Sequence, residues 1–193
     1  LRQLTVSFGQ QDPARITKVL QVSWPQLCQW FSKTPPVVPD KAARGWYCGA
    51  EFSAPHRHGD YFVARHLLTL DFDVLTPDDV EDIRERLDDH AAILYTTYSH
   101  TALAPRLRLL LPLSRPVSSH EFQAVSRKVA ARFGIELAAR ESHVTCQMMY
   151  APARKAPESE FWCQATEKGD WAGVDAFLAQ YDDWTDRTQW PHR

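Results

Sequence analysis

The stretch Leu67-Leu68-Thr69-Leu70-Asp71-Phe72-Asp73 decides how this chain is read. It is an apolar run of strand length that ends in two acids one residue apart. Strand side chains alternate faces, so Asp71 and Asp73 point the same way while Phe72 turns into the opposite layer. Two carboxylates on one face repel each other unless a cation sits between them. Mg²⁺ and Mn²⁺ are hard cations that take such oxygens. A pair of these ions about 3.5–4 Å apart is a recurrent device for in-line phosphoryl transfer. An isolated Asp-x-Asp can equally well just close a strand and open a turn; the residues that follow decide.

Some twenty residues on comes Tyr95-Thr96-Thr97-Tyr98-Ser99-His100-Thr101, a strand end followed by small hydroxyl residues and a histidine. Then comes Pro105-Arg106-Leu107-Arg108-Leu109-Leu110-Leu111-Pro112. Arg106 and Arg108 alternate with leucines, so both guanidinium groups leave one face of a strand, and arginine forks suit phosphate oxygens. Taken singly, a loop histidine is usually solvated and paired arginines usually make cross-strand contacts. In this order after Asp71 and Asp73 they put carboxylates for metal and cations for a triphosphate on one sheet face, the minimum equipment for nucleotidyl transfer.

The 193 residues suffice for one domain with a sizeable core, and 44% apolar with 24% charged residues is ordinary for a globular protein. A net charge of -2 leaves no global basic field, which argues against a simple coating protein for nucleic acid but not against a local basic groove. The start at Leu1 without Met reads as a fragment. No run approaches the roughly 20 apolar residues of a membrane span, and no secretory signal is visible. Cys28, Cys48, Cys146 and Cys163 form no Cys-x-x-Cys pair and read as free thiols of a cytoplasmic protein. Cys48 with His56 and His58 fits no standard zinc spacing.

Leu4 to Phe8 reads as a strand, and Ile16 to Phe31 carries near-helical apolar spacing interrupted at Pro25. Lys41 to His58 is irregular and rich in Trp, Tyr, Arg and His. Tyr61 to Asp73 reads as one or two strands. Thr76-Pro77-Asp78-Asp79 opens a helix to about Asp89. Strands follow at Ala92–Tyr98 and Arg106–Leu111. Ser118 and Glu121 stand at capping-box spacing for a helix to Phe133, with Gly134 as its stop. Short strands at 148–150 and 161–163 and a helix over Asp170–Tyr181 complete the pattern. The expected architecture is α/β (α+β): an RRM-like core, a mainly antiparallel sheet with packed helices on a split βαβ plan, plus an N-terminal elaboration. The domain reading is one catalytic domain over 1–181: elaboration 1–45, core 46–166, C-terminal helix 167–181. The tail over 182–193, polar with Trp184 and Trp190, reads either as a linker toward a further domain or as a docking strap.

These motifs resemble the archaeo-eukaryotic primase superfamily, in particular the primase-polymerase domains of phages, plasmids and integrated elements, which often precede a helicase of the virulence-associated E type. The resemblance covers about Trp46 to Trp162. It implies that Asp71 and Asp73 are the first motif and bind Mg²⁺ or Mn²⁺, and that Ser99 and His100 are the second, His100 touching the incoming nucleotide's phosphates. It also implies phosphate contacts for Arg106 or Arg108. Arg57 becomes a further candidate for nucleotide or template contact. "QMMYAPA", Gln147 to Ala153, resembles the strand and loop after the third motif. The expected activity is a template-dependent nucleotidyltransferase, a DNA primase or polymerase, acting on nucleoside triphosphates and a single-stranded DNA template. Lys41, Arg44, Trp46 and Tyr47 would supply charge and base stacking for that template, with a place in the core as the equal alternative for Trp46 and Tyr47.

The third motif departs from the family. Its carboxylate is expected eight residues before Gln147, where Ala139 stands. Three explanations remain open: Glu141 serves instead, the site is degenerate, or Ala139 is an introduced change. The rival function is accordingly a catalytically degenerate primase-fold module that binds nucleic acid and recruits a helicase or origin. An origin-nicking nuclease is a further rival, since His56 and His58 form a His-x-His pair.

Overall fold

The computed structural model describes residues 2–192 and folds them into two antiparallel sheets with four α-helices packed on them. The strands are β1 (Gln3–Gly9), β2 (Ile16–Ser23), β3 (Trp46–Cys48), β4 (Ala50–Phe52), β5 (Phe62–Phe72), β6 (Ala92–Thr96), β7 (Leu107–Val117), β8 (Met149–Tyr150) and β9 (Cys163–Thr166). The helices are α1 (Trp24–Phe31), α2 (Pro77–Glu85), α3 (Ser119–Phe133) and α4 (Val174–Leu178). One sheet runs β2-β1-β3-β8 and the other β4-β5-β7-β6-β9.

The acidic strand is the long β5, paired antiparallel with β7 so that Asp71 stands opposite Arg108 and Phe72 opposite Leu107. The helix α2 carries the chain from β5 to β6, and β7 then fills the space between them, which is a split βαβ unit. The alternation expected of β5 is realised. Leu68, Leu70 and Phe72 face a core shared with α2, α3 and α4, while Leu67 faces a second core shared with β1, β3, α1 and Tyr95. Asp71, in step with Leu67, therefore looks into the space between the two sheets.

Helix caps follow the sequence closely. Thr76 and Asp79 form a capping box on α2, Ser118 and Glu121 another on α3, each satisfying main-chain N–H groups that a helix start leaves unpaired. Three expectations are corrected. Ile16–Ser23 is a strand, not helix: its β-branched Ile16, Thr17, Val19 and Val22 zip along β1, and Pro25 begins α1 rather than interrupting a helix. Met149–Tyr150 pairs with β3 in the other sheet, so β9, not this segment, extends the sheet that carries Asp71 at the edge of β6. The C-terminal helix is short, and the tail after it docks: Tyr181 donates a hydrogen bond to the Ala124 carbonyl, and Trp190 is buried against the α3 core. Among the described residues no helix is long and apolar enough to cross a membrane.

Candidate active site

Asp71 ends β5 beside β7, and cross-strand register decides its partner. Arg108 donates from Nη2 to Asp71 Oδ2 at 2.9 Å and from Nε to Oδ1 at 3.3 Å. Its remaining Nη1 reaches the Tyr95 hydroxyl at 3.2 Å and the Tyr150 carbonyl at 3.0 Å. Arg108 is buried, and the Tyr95 hydroxyl also meets the Tyr47 hydroxyl at 3.0 Å. Burial pushes both phenols above their ordinary range, so they stay neutral. The guanidinium is thus tied to both sheets at once.

Asp73, past the end of β5, has a looser partner. Arg106 Nη1 lies 3.1 Å from Asp73 Oδ1, with both side chains between two-fifths and half exposed (41% and 49%). A pair this open to water contributes about 0–1 kcal/mol and exchanges freely.

Behind these groups the third-motif segment packs on the strand end. Ala139 N–H donates to the Asp71 carbonyl at 2.8 Å and Asp71 N–H to Ser142 Oγ at 2.9 Å. Position 139 therefore borders the aspartate pair, where the missing acid was expected. Glu141 is exposed and lines a second cleft of about 190 Å³ together with Asp73 and Ala139. Among the described residues no group of three or more His, Cys, Asp or Glu is arranged to hold a metal ion.

The main cleft, about 150 Å³, is lined by Lys41, Asp71, Asp73, Tyr95, Thr97, Tyr98, Ser99, Arg106, Arg108 and Tyr150–Ala153. Lys41 and the arginines give three cations against two carboxylates, an excess of one positive charge that suits a polyanion. Lys41, placed on the template side by sequence, stands in this wall with its ammonium 5.1 Å from the Tyr150 ring centre. The donor chemistry fits a divalent ion held by Asp71 and Asp73 and completed by phosphate oxygens and water, the usual mode for Mg²⁺. It does not supply a three-carboxylate cage.

His100 is the main correction. It does not line the cleft. Its Nδ1 accepts the Arg106 N–H at 3.1 Å, and Nε2 lies 3.6 Å from Glu160. Burial lowers its pKa, outweighing the raising effect of Glu160, and the neutral ring is what can accept at Nδ1. His100 therefore shapes the turn that presents Arg106; Ser99 next to it does face the cleft.

Arg57 is a strut rather than a cleft residue, donating to the Pro13 carbonyl at 2.7 Å and the Cys146 carbonyl at 2.6 Å. Of the two readings of Trp46 and Tyr47, the structure has the core one: they are 2% and 1% exposed and offer no face to a base. Trp46 lies so close to Gly9 that any Cβ there would run into the indole, and its Nε1 donates to the Asp12 carbonyl. Arg44 is exposed on the short turn Lys41–Arg44. His56 and His58 are exposed on a loop and Cys48 is buried, so neither the zinc nor the nicking-nuclease arrangement forms.

Sequence reasoning missed Tyr95, Tyr98, Tyr150 and Arg65. Tyr98 directs its hydroxyl to the Val38 and Pro39 carbonyls, each at 3.0 Å. Arg65, fully buried, donates to the Leu67 and Thr145 carbonyls and to Thr69 Oγ1, bracing the segment that leads to Tyr150. The one signal for Tyr95 was its strand parity with Ile93 and Thr97, which becomes useful only when the register with Arg108 is known.

A sequence model of the VapE N-terminal domain family matches residues 41–193. No curated protein matches the sequence. Among solved structures, the AEP domain of the cyanophage S-2L primase-polymerase is similar, with a TM-score of 0.53 and 8% identity over 92% of this chain and 88% of that one. Primase RepB′ is matched with a TM-score of 0.44 and 13% identity over 93% of this chain and 56% of that one. The likeness to the cyanophage domain is one of fold, and the fold is that of archaeo-eukaryotic primases. The family match spans the aspartate pair, the arginine strand and the docked third-motif segment together, and the chain belongs to the VapE N-terminal domain family.

Proposed function

We propose that the chain is a template-directed nucleotidyltransferase domain of the primase-polymerase type. It would use Mg²⁺ or Mn²⁺, nucleoside triphosphates and a single-stranded DNA template in the replication of a mobile element or phage. The observation that carries this reading is the charge pattern of one cleft: two adjacent carboxylates, Asp71 and Asp73, walled by Arg106, Arg108 and Lys41. Asp71 and Asp73 would hold the metal, which when bound neutralises the triphosphate and activates the attacking hydroxyl. Arg106, freed from its solvent-exposed pair with Asp73, turns to the phosphates and stabilises charge developing on the leaving pyrophosphate. Lys41 closes the opposite wall. Arg108 stays on Asp71 and holds that carboxylate in place; Ser99 offers a hydroxyl to a phosphate oxygen. The chain's part is positioning and charge neutralisation.

A second reading has one observation in its favour. Position 139 borders the aspartates and carries a methyl group where a third carboxylate would sit. A nucleic-acid-binding module that recruits a helicase, without catalysis, would look like this. Primer extension on a single-stranded template with Mn²⁺ separates the two. Incorporation that is lost in Asp73→Ala supports the enzyme; binding without incorporation supports the module.

A further inference from the structure

Past Ala139 the aspartate pair leads on to a group of arginines. The cleft that Asp73 shares with Ala139 also contains Glu141 and Arg140. Arg140 in turn lines a neighbouring cleft of about 190 Å³ with Arg127, Ile135, Ala138, His143, Pro191 and His192. The two clefts meet at Arg140. Beyond them, Arg127 and Arg187 both lie over one indole, 5.2 and 5.6 Å from the Trp190 ring centre. None of Arg127, Arg140 and Arg187 has an ion-pair partner among the described residues.

We infer that Arg140, Arg127 and Arg187 form a track for the phosphate backbone of a single-stranded nucleic acid that passes the aspartate cleft. The chain as a whole is slightly acidic, so three neighbouring arginines without an ion pair among the described residues are a local departure. Arginine is ordinarily stabilised at a folded surface by carboxylate or phosphate. Arg127 and Arg187 converge on the one Trp190 ring, and burial above all, with a smaller contribution from Arg187, lowers the pKa of Arg127 against the raising effect of Tyr181. A phosphodiester between the two arginines offsets that contribution. The nearest acid in sequence, Asp186, is turned away: it accepts hydrogen bonds from Thr188 N–H and Oγ1. Arg127 itself is anchored by donating to the Gln123 carbonyl at 3.0 Å. Docking of the tail brings Trp190 and Arg187 to α3; without it Arg187 would be remote from Arg127. The Lys41 and Arg44 side, favoured for the template by sequence alone, lies across the cleft and loses its stacking aromatics to the core.

The identity of the ligand as a nucleic-acid strand rests on the nucleotidyl-transfer reading; the unpaired arginines do not. The test uses Arg140→Glu, Arg187→Glu and, on the other wall, Lys41→Glu/Arg44→Glu. Anisotropy of a labelled single-stranded oligonucleotide is followed across a salt titration without metal or nucleotide. The expected result is that each of the first two variants weakens binding about tenfold and reduces the salt slope by about one ion. Arg187→Glu should leave Mn²⁺-dependent nucleotide binding unchanged. Unaltered affinity and slope in both track variants, or loss confined to Lys41→Glu/Arg44→Glu, overturns the track. Absence of oligonucleotide binding by the unmodified chain also overturns it. A failure of the nucleotidyl-transfer reading would appear separately, as absence of Mn²⁺-dependent nucleotide binding in the unmodified chain.

Discussion

Arg108 closes on Asp71 through two hydrogen bonds, 2.9 and 3.3 Å, while its third nitrogen holds the Tyr95 hydroxyl and the Tyr150 carbonyl. Asp71 is thereby part of the joint between the sheets as well as part of the cleft. Breaking a buried ion pair from one side leaves an uncompensated charge and costs several kcal/mol. Asp71→Ala should therefore lower stability by about 3 kcal/mol, read as a shift in urea midpoint at unchanged m-value. Asp73→Ala, whose partner is exposed, should change it by less than about 1 kcal/mol. Equal midpoints for the two variants would contradict the structural role of the Arg108 pair. The double alanine variant is for this reason a poor probe of chemistry, and Asp73→Ala the cleaner one.

If the cleft works as proposed, Arg106 would compete with metal for Asp73 and gain a triphosphate when it lets go. Arg106→Ala should leave the affinity for Mn²⁺ alone equal or higher, and weaken nucleoside triphosphate binding about tenfold, about 1.4 kcal/mol. Calorimetry with each ligand in turn checks both signs. A variant that loses Mn²⁺ affinity and keeps nucleotide affinity would show that Arg106 positions Asp73 instead.

His143 supplies a pH dependence. Burial, aided by Arg127, lowers its pKa from 6.5 to about 4, and its Nδ1 lies 3.0 Å from Ser126 Oγ. The unfolded chain takes up this proton first as pH falls. The stabilisation is therefore complete above about pH 6.5 and is lost between there and about pH 4. It amounts to about 3 kcal/mol. His143→Gln keeps a hydrogen-bonding group without the titration and should flatten the fall in urea midpoint over that window; His66 and His100, also lowered by burial, leave a residual slope. An unchanged slope would contradict the assignment. Ser142, next to His143, holds the Asp71 N–H, so acid should loosen this end of the site early.

Position 139 borders the aspartates through its hydrogen bond to the Asp71 carbonyl. Ala139→Asp should add a third carboxylate, tighten Mn²⁺ about tenfold and raise incorporation. No gain in either would count against a missing metal ligand at this position.

The sequence carried the parts of the fold that depend on local periodicity. The parity of Asp71, Phe72 and Asp73, the capping boxes at Thr76 and Ser118, and the βαβ order were legible because strand and helix periods write them directly. What it did not carry depends on register and on distant packing. Ile16–Ser23 has helix-like apolar spacing but pairs as an edge strand because β1 lies beside it. Trp46 and Tyr47 read equally as stacking or as core aromatics, and only the pairing of β3 between β1 and β8 puts them in the core. His100 and Arg106 are six residues apart, and only the turn between them turns the histidine inward and the arginine toward Asp73.

The central claim is that Asp73 and its neighbours bind a triphosphate through a divalent ion. The most direct measurement is equilibrium binding of a labelled nucleoside triphosphate with and without Mn²⁺, to the unmodified chain and to Asp73→Ala. The account predicts binding that needs Mn²⁺ and is lost in the variant while its fold, followed by circular dichroism, is retained. Binding that ignores Mn²⁺, or that survives in Asp73→Ala, would contradict it.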